Sequence, residues 1–443
     1  MSIFATIISI VLCVLEWKQT KNNKKFSPIL FFLILWSFIL FLSCFQLYGL
    51  YKPSISAILL LSCMVIFFYT GALIARSFPS KNKKAKRNIA FLESPNKIFY
   101  AICVIALIIN IYDIILIVAQ FANGTPAWQI RNWILEPFGS SNPMQENRTF
   151  IGQLIRTVII SPIYLIIPPL LSDAILHWKK TKKNIFDTIL FATLIATSTM
   201  AQCGGRLLFI YLIICILLTI FINRKDFLKQ LKKKSRNTFL VISILVVCIL
   251  IAAIYTIVRV GIGNIFKQFY LYFALPSTLL SEWLPQITQT PHTFGLLTFF
   301  GIHSYIFRFF NMIGLQFLVP PIFSQSFDHI LAAEKNLQVG AGTYNAFVTP
   351  IYYFIIDGGI IFVILASLFF GWIISQYYER TKNNTRLHSK VFYSIIIYGL
   401  FVSFMRVQTC IPNYLITLVL GILIFLPIKV KHPIKHEKKY IPK

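Results

Sequence analysis

The feature that most constrains this chain is a series of apolar runs too long and too continuous for a water-soluble fold. Residues 29–50, for example, contain no charged side chain. Hydrocarbon cannot hydrogen-bond a peptide group, so such runs must satisfy their own backbone as helices or as a closed barrel. Barrel strands alternate apolar and polar residues, and these runs do not, so helices are expected. Composition agrees: of 443 residues 57% are apolar and 13% charged, and the mean hydropathy is +0.73. The net charge of +28 would suggest nucleic acid in a soluble protein. Here the basic residues sit in short loops between apolar runs, which indicates topology and contact with anionic lipid, with no nucleic acid.

A span needs about 20 mostly apolar residues. Eleven are expected, at 2–17, 27–50, 54–75, 98–120, 152–176, 185–202, 207–223, 238–258, 358–378, 391–407 and 412–428. The segments 18–26, 76–97, 177–184, 224–237, 379–390 and 429–443 carry 32 of the 42 Lys and Arg residues. They share one side only if the N-terminus is outside and the number of spans is odd. The positive-inside rule makes that side cytoplasmic, with 429–443 a basic cytoplasmic tail. The reading is one all-α, polytopic transmembrane domain over 1–443, without an internal repeat or a detachable soluble domain.

Two external segments are long, 121–150 and 259–357. Within the second, 295–322 and 344–356 are apolar but interrupted by Pro or charge. They read as re-entrant or interfacial pieces packed against protein, where broken backbone survives at membrane depth. As full spans they would raise the count to thirteen and keep the parity. Cys13, Cys44, Cys63, Cys103, Cys215 and Cys248 fall in apolar runs and read as packing residues. The segment 3–15 lacks a basic n-region and a cleavage site, so it is expected to stay as a span.

Ten cations remain, all assigned to the outer side or to outer helix ends: Lys52, Arg131, Arg148, Arg156, Arg206, Arg259, Lys267, Arg308, Lys335 and Arg406. Seven of these ten are Arg, against six of the 32 on the other side. A topogenic signal is indifferent to Lys versus Arg. A site that grips phosphate or carboxylate is not, because guanidinium offers a planar fork and stays charged when partly dehydrated. Either these arginines snorkel and pair with outer acids, or they ring an electropositive pocket for an anionic, lipid-embedded ligand. Gly204-Gly205-Arg206 is either a plain turn or a nest-like anion site between two spans. For proton transfer the leading outer candidates are His303, Asp357 and Glu282. His303 is either a base or a satisfied interface histidine, and Asp357 either a base or the cap of the span that follows it. Asp113 is the most buried acid and a candidate partner for an Arg. Trp128, Trp133 and Trp283, with Arg131, are candidates for sugar contact, unless the rings are interfacial anchors. No residue set has metal-ligand spacing, and no cofactor is implied.

Three stretches resemble the Wzy-type O-antigen and capsule repeat-unit polymerases, a family of integral membrane proteins. Ala201-Gln-Cys-Gly-Gly-Arg206-Leu-Leu-Phe is similar to the family's small-residue-plus-Arg hairpin. Asn345-Ala-Phe-Val-Thr-Pro350 through Asp357-Gly-Gly-Ile-Ile resembles the segment leading into the span after the large loop. Tyr398-Gly-Leu-Phe-Val-Ser-Phe-Met-Arg406 resembles the penultimate span. The general architecture is similar over most of the chain, although a pair of Arg-rich external repeats ending in Gly is not matched. The first external loop, Tyr51-Lys-Pro-Ser54, is too short for the metal-binding acids of metal-dependent lipid-linked glycosyltransferases.

The resemblance implies a bacterial inner-membrane enzyme that moves a growing glycan from undecaprenyl diphosphate to a new lipid-linked repeat, without a metal, at the periplasmic face. Arg206, Arg259, Arg308 and Arg406, with Gly204 and Gly205, would neutralise the leaving diphosphate. His303, then Asp357 or Glu282, would take the acceptor proton. A flippase and a chain-length regulator of the same pathway would be its partners. The competing readings are an O-antigen ligase acting on lipid A-core and a transporter of lipid-linked sugars, which would show midplane charges and repeated halves. Replacing Arg206 by Lys should cost nearly as much polymer as replacing it by Ala, read as surface glycan length at matched protein level. Full-length glycan from the Lys variant would show that the fork is not needed.

Overall fold

A computed structural model describes residues 1–23, 25–78, 91–126, 129–130, 133–134, 155–178, 181–202, 207–224, 227, 236–260, 262–340, 342–345 and 347–427. Among them the chain forms 14 α-helices. These are α1 (Ser2–Thr20), α2 (Pro28–Leu42), α3 (Ile55–Ser77), α4 (Lys97–Ala122), α5 (Ser161–Leu176), α6 (Lys182–Ala201) and α7 (Leu207–Ile222). They continue with α8 (Arg236–Val260), α9 (Ile265–Ile287), α10 (Phe300–Met312), α11 (Pro321–Ala333), α12 (Thr349–Thr381), α13 (Leu387–Phe401) and α14 (Pro412–Leu423). The described sheet is one hairpin, β1 (Leu337–Val339) antiparallel to β2 (Gly342–Tyr344).

Seven helical segments are long and apolar enough to cross a bilayer: α1, α3, α4, α6, α12, and α5 and α13 with their flanking turns. Shorter apolar helices are α2, α7, α14 and the middle of α8. The chain is an all-α membrane protein, and each of the eleven expected segments coincides with one of these helices. Two boundary differences bear on the architecture. Helix α2 stops at Leu42 instead of running to 50, because Gln46 (φ 49) and Tyr48 (φ 59) take left-handed conformations that a helix cannot continue through. Residues 349–356 are not a separate dipping piece but the first turns of α12, which breaks at Gly358–Gly359 and then resumes.

Side chains of α1, α2, α3, α9 and α12 form one large apolar core. Those of α4 to α8 and α14 form a second. Helix α13 contributes to both, Leu400 to the first and Val391, Ile395 and Tyr398 to the second.

Polar contacts draw the basic loops to one end. Glu16, fully buried, accepts from both terminal nitrogens of Arg76 at 2.7 and 2.8 Å, and Arg76 also reaches Glu379 at 3.5 Å. Lys390 pairs with Asp173 at 2.6 Å. Lys25 has no carboxylate partner among these contacts. It donates to the Ser389 hydroxyl at 2.7 Å and lies over the Tyr393 ring. Burial, then the neighbouring Lys390, lowers its pKa to about 7. Between α4, α5 and α6 lies a second polar set, with Asn110 and Asp113 buried. Arg156, on a π-helical turn, pairs with Asp113. Tyr164 donates to Asn110, and Asn110 donates to Thr197 at 3.1 Å. Such contacts join helices where no water competes.

The tightest crossing is between α3 and α12, which run parallel. A Cβ on Gly71 would lie 2.1 Å from the Leu368 carbonyl oxygen, and one on Gly371 would lie 1.9 Å from that of Phe68. The backbones touch because nothing stands between them, and each glycine Cα–H faces a carbonyl of the other helix. Small residues extend the contact at helical spacing, Ser367-Gly371-Ser375 against Gly71-Ala75. The Ser375 hydroxyl donates to the Ala72 carbonyl at 3.2 Å and Gln376 to that of Ala75 at 2.8 Å. Overpacking such a contact costs about 1–3 kcal/mol or more. Gly371→Leu should therefore lower the melting temperature of the purified protein markedly. Gly263→Ala, where a Cβ meets nothing within 4 Å, should leave it unchanged. Equal melting of the two variants would refute the contact.

Candidate functional site

At the end of α12 remote from Glu379, every residue from Thr349 to Asp357 is buried. A helix apolar all round must be enclosed by protein or lipid, and here α9, α11 and the segments 293–298 and 405–410 enclose it. The Tyr352 hydroxyl donates to the His329 carbonyl of α11 at 3.0 Å, and its ring meets Trp283 of α9 edge-on at 5.3 Å. The Val348 N–H donates to the Met405 carbonyl at 3.1 Å.

The break that follows is what the sequence requires. Gly359 has φ +66 and ψ −157, a combination open essentially to glycine alone. Leaving the helix frees the carbonyls of Ile356 and Asp357, which accept from the N–H groups of Thr293 (3.0 Å) and Phe294 (2.9 Å). The Asp357 side chain completes the junction. It is fully buried and accepts from the Thr293 hydroxyl, from the Leu297 N–H at 3.0 Å and from the Thr298 N–H at 2.8 Å. Asp357 thus caps the turn that leads into α10. Of the two readings of Asp357, base or cap of its own span, the capping one needs a change of partner: the glycine break turns the carboxylate towards a segment about 60 residues earlier.

His303 lies on α10 in an aromatic cage, its ring 5.5–5.6 Å from those of Phe300, Phe307 and Phe323. Its Nε2 is buried without a hydrogen-bond partner among the described residues. Burial lowers the pKa of His303, against an opposing pull from Asp357. His329 is shifted the same way, by burial against Asp328 and Asp357. Both rings are therefore held towards the neutral form, the one able to accept a proton.

Arg406 sits between α13 and α14 with its side chain 20% exposed, paired to Glu334 at 2.6 Å. Glu334 closes the C-terminal end of α11, and its backbone carbonyl accepts from Asn345 at 3.0 Å. On the adjoining segment Thr349 is strained, at φ +64, and its hydroxyl is buried without a partner among the described residues. A left-handed β-branched residue is a genuine outlier and marks a place where the surroundings impose the conformation.

The structure therefore gathers His303, Asp357 and Arg406 around the buried start of α12. Glu282 is half-buried on α9, and the adjoining Ser281 accepts from the Ser54 N–H at 2.9 Å, which sets this part of α9 beside the α2–α3 turn. Trp283 is only 5% exposed and belongs to the large core. It lacks the free face that stacking on a sugar requires, so its role here is packing. Trp133 packs with Ile117 and Ile130 in a separate small cluster. Arg206, Gly204, Gly205, Arg131 and Trp128 lie outside the described residues, as do the side chains of Arg259 and Arg308. The expected Arg partner of Asp113 is Arg156. Reading the sequence missed Thr293, which feeds Asp357, and Glu334 as the partner of Arg406.

Asp357→Asn places an amide –NH₂ against donors that need an acceptor. An unmet buried donor costs about 1–3 kcal/mol, so the variant should melt measurably lower than wild type. Unchanged melting would show that the carboxylate does not hold the turn. No protein-family model, curated protein or solved structure matches this chain.

Proposed function

We propose that this protein is a metal-independent membrane glycosyltransferase that polymerises undecaprenyl-diphosphate-linked repeat units into O-antigen or capsular polysaccharide. It works at the periplasmic face of a bacterial inner membrane. The chain crosses the membrane eleven times, N-terminus outside, with α10, α11 and the hairpin in the external loop. This topology is supported by the ion pairs that collect the ends of the basic loops at one pole, away from Arg406, Asp357 and His303.

One observation carries the reading: in the sequence the six basic segments hold six Arg among 32 cations, and the remaining ten cations include seven. In the transfer, a hydroxyl at the non-reducing end of the new lipid-linked repeat attacks the anomeric carbon of the donor glycan. The bond from that carbon to the diphosphate oxygen breaks, and the lipid diphosphate leaves with the electron pair. Its charge needs preorganised donors, which Arg406 and the outer arginines 206, 259 and 308 supply. The hydroxyl proton goes to His303, whose burial favours the neutral, accepting form. Asp357 acts by holding the turn that carries α10. Undecaprenyl chains lie along the lipid-facing helices.

Deletion of the gene in its own host tests this. The surface glycan should shrink to a single repeat while export and ligation continue, read by gel electrophoresis. Polymer retained on undecaprenyl diphosphate would indicate a ligase, and repeats trapped inside the cell a flippase.

A further inference from the structure

We propose that Glu334 occupies the anion site of Arg406 in this state, so that an incoming phosphate group must displace the protein's own carboxylate. The inference rests on the reading of Arg406 as a phosphate-binding residue and adds how that site is held closed. The guanidinium is mostly enclosed, whereas Glu334 is 44% exposed, so the acid can swing into water while the Arg cannot follow. The closest approach between them is NH2 to Oε1 at 2.6 Å. A carboxylate is a weaker partner than a phosphate, which carries more charge and more acceptor oxygens.

Two further features fit a site built for a larger anion than a carboxylate. The Val348–Met405 backbone bond sets residues 348–349 beside 405–406. Thr349 there keeps a buried hydroxyl without a partner among the described residues, on a strained backbone, a donor that the carboxylate does not use. Glu334 also sits where displacement would be felt. It follows α11, whose His329 carbonyl is tied to Tyr352 of α12, and its own carbonyl is tied to Asn345 beside the hairpin. Release of the side chain leaves those backbone anchors intact, so the site opens by a rotamer change of one acid and not by unfolding of the loop.

Inorganic pyrophosphate, titrated calorimetrically into the purified full-length protein in lipid nanodiscs without divalent metal, is a sufficient probe. Glu334→Gln should bind it about tenfold more tightly than wild type. Asp328→Asn, which removes an exposed negative charge from α11 without touching Arg406, should change affinity by less than twofold. Arg406→Gln should lose binding, and Arg406→Lys, which keeps the charge, covers the case in which the Gln variant fails to fold. If Glu334→Gln and wild type bind equally while the Arg406 variants are impaired, Arg406 is an anion site but Glu334 does not plug it. Equal gains from Glu334→Gln and Asp328→Asn would reduce the effect to general electrostatics and also overturn the proposal. Absence of binding to Glu334→Gln, or binding that ignores Arg406, would remove the phosphate reading and the plug together.

Discussion

The parallel contact between α3 and α12 is the constraint on which the rest of the structure depends. Two glycines on opposite helices let backbones about 300 residues apart in sequence come into van der Waals contact. With the helices locked, the first turns of α12 have nowhere to go except into the centre of the surrounding elements, and they are buried on every side. A continuous helix there would present Asp357 to apolar neighbours. The glycine pair after it breaks the helix instead, and three donors from the 293–298 segment meet the carboxylate. The position of α10, and of His303 upon it, follows from that junction.

The two ends of the bundle solve the problem of charge differently. At one end buried acids and bases neutralise one another in matched sets, Glu16 with Arg76 and Asp173 with Lys390. Lys25 is met by a hydroxyl and an aromatic face while burial draws its pKa down. Those contacts bind loops to helices. At the other end the described carboxylate partner of Arg406 is itself half in water, Thr349 on the adjoining segment is strained, and the histidines of α10 and α11 are held towards neutrality. Strained backbone and neutral, partly buried bases are poor choices for stability alone. They suit a pole that must receive charge from a ligand and take up a proton.

Much of this was legible in the sequence because apolar runs declare helices without help from tertiary contacts. The positions of the helices, and the clustering of the basic loops, follow from hydropathy and charge alone. The sequence also holds the small residues of the crossing, Ser367-Gly371-Ser375 and Gly71-Ala75. Small-residue spacing is common in membrane helices, however, and names no partner. Asp357 stood out beside its glycines, yet its ligands come from Thr293, Leu297 and Thr298, and nothing local announces a contact across that distance. Trp283 illustrates the opposite limit: an external, amphipathic ring reads as a platform until its neighbours are known, and Tyr352 turns it into core. Glu334 could not be assigned to Arg406 from spacing, since several acids were equally available.

The central claim is that the Arg406 pole faces away from the cytoplasm and the Glu16–Arg76 pole faces into it. Single cysteines placed at Ser324 on α11 and at Thr385 between α12 and α13, both exposed, test it directly in a background without other cysteines. Intact cells treated with a membrane-impermeant maleimide should label the cysteine at 324 at once, and the one at 385 only after permeabilisation. Labelling of 385 but not 324 in intact cells would invert the protein and place the proposed chemistry on the wrong side of the membrane.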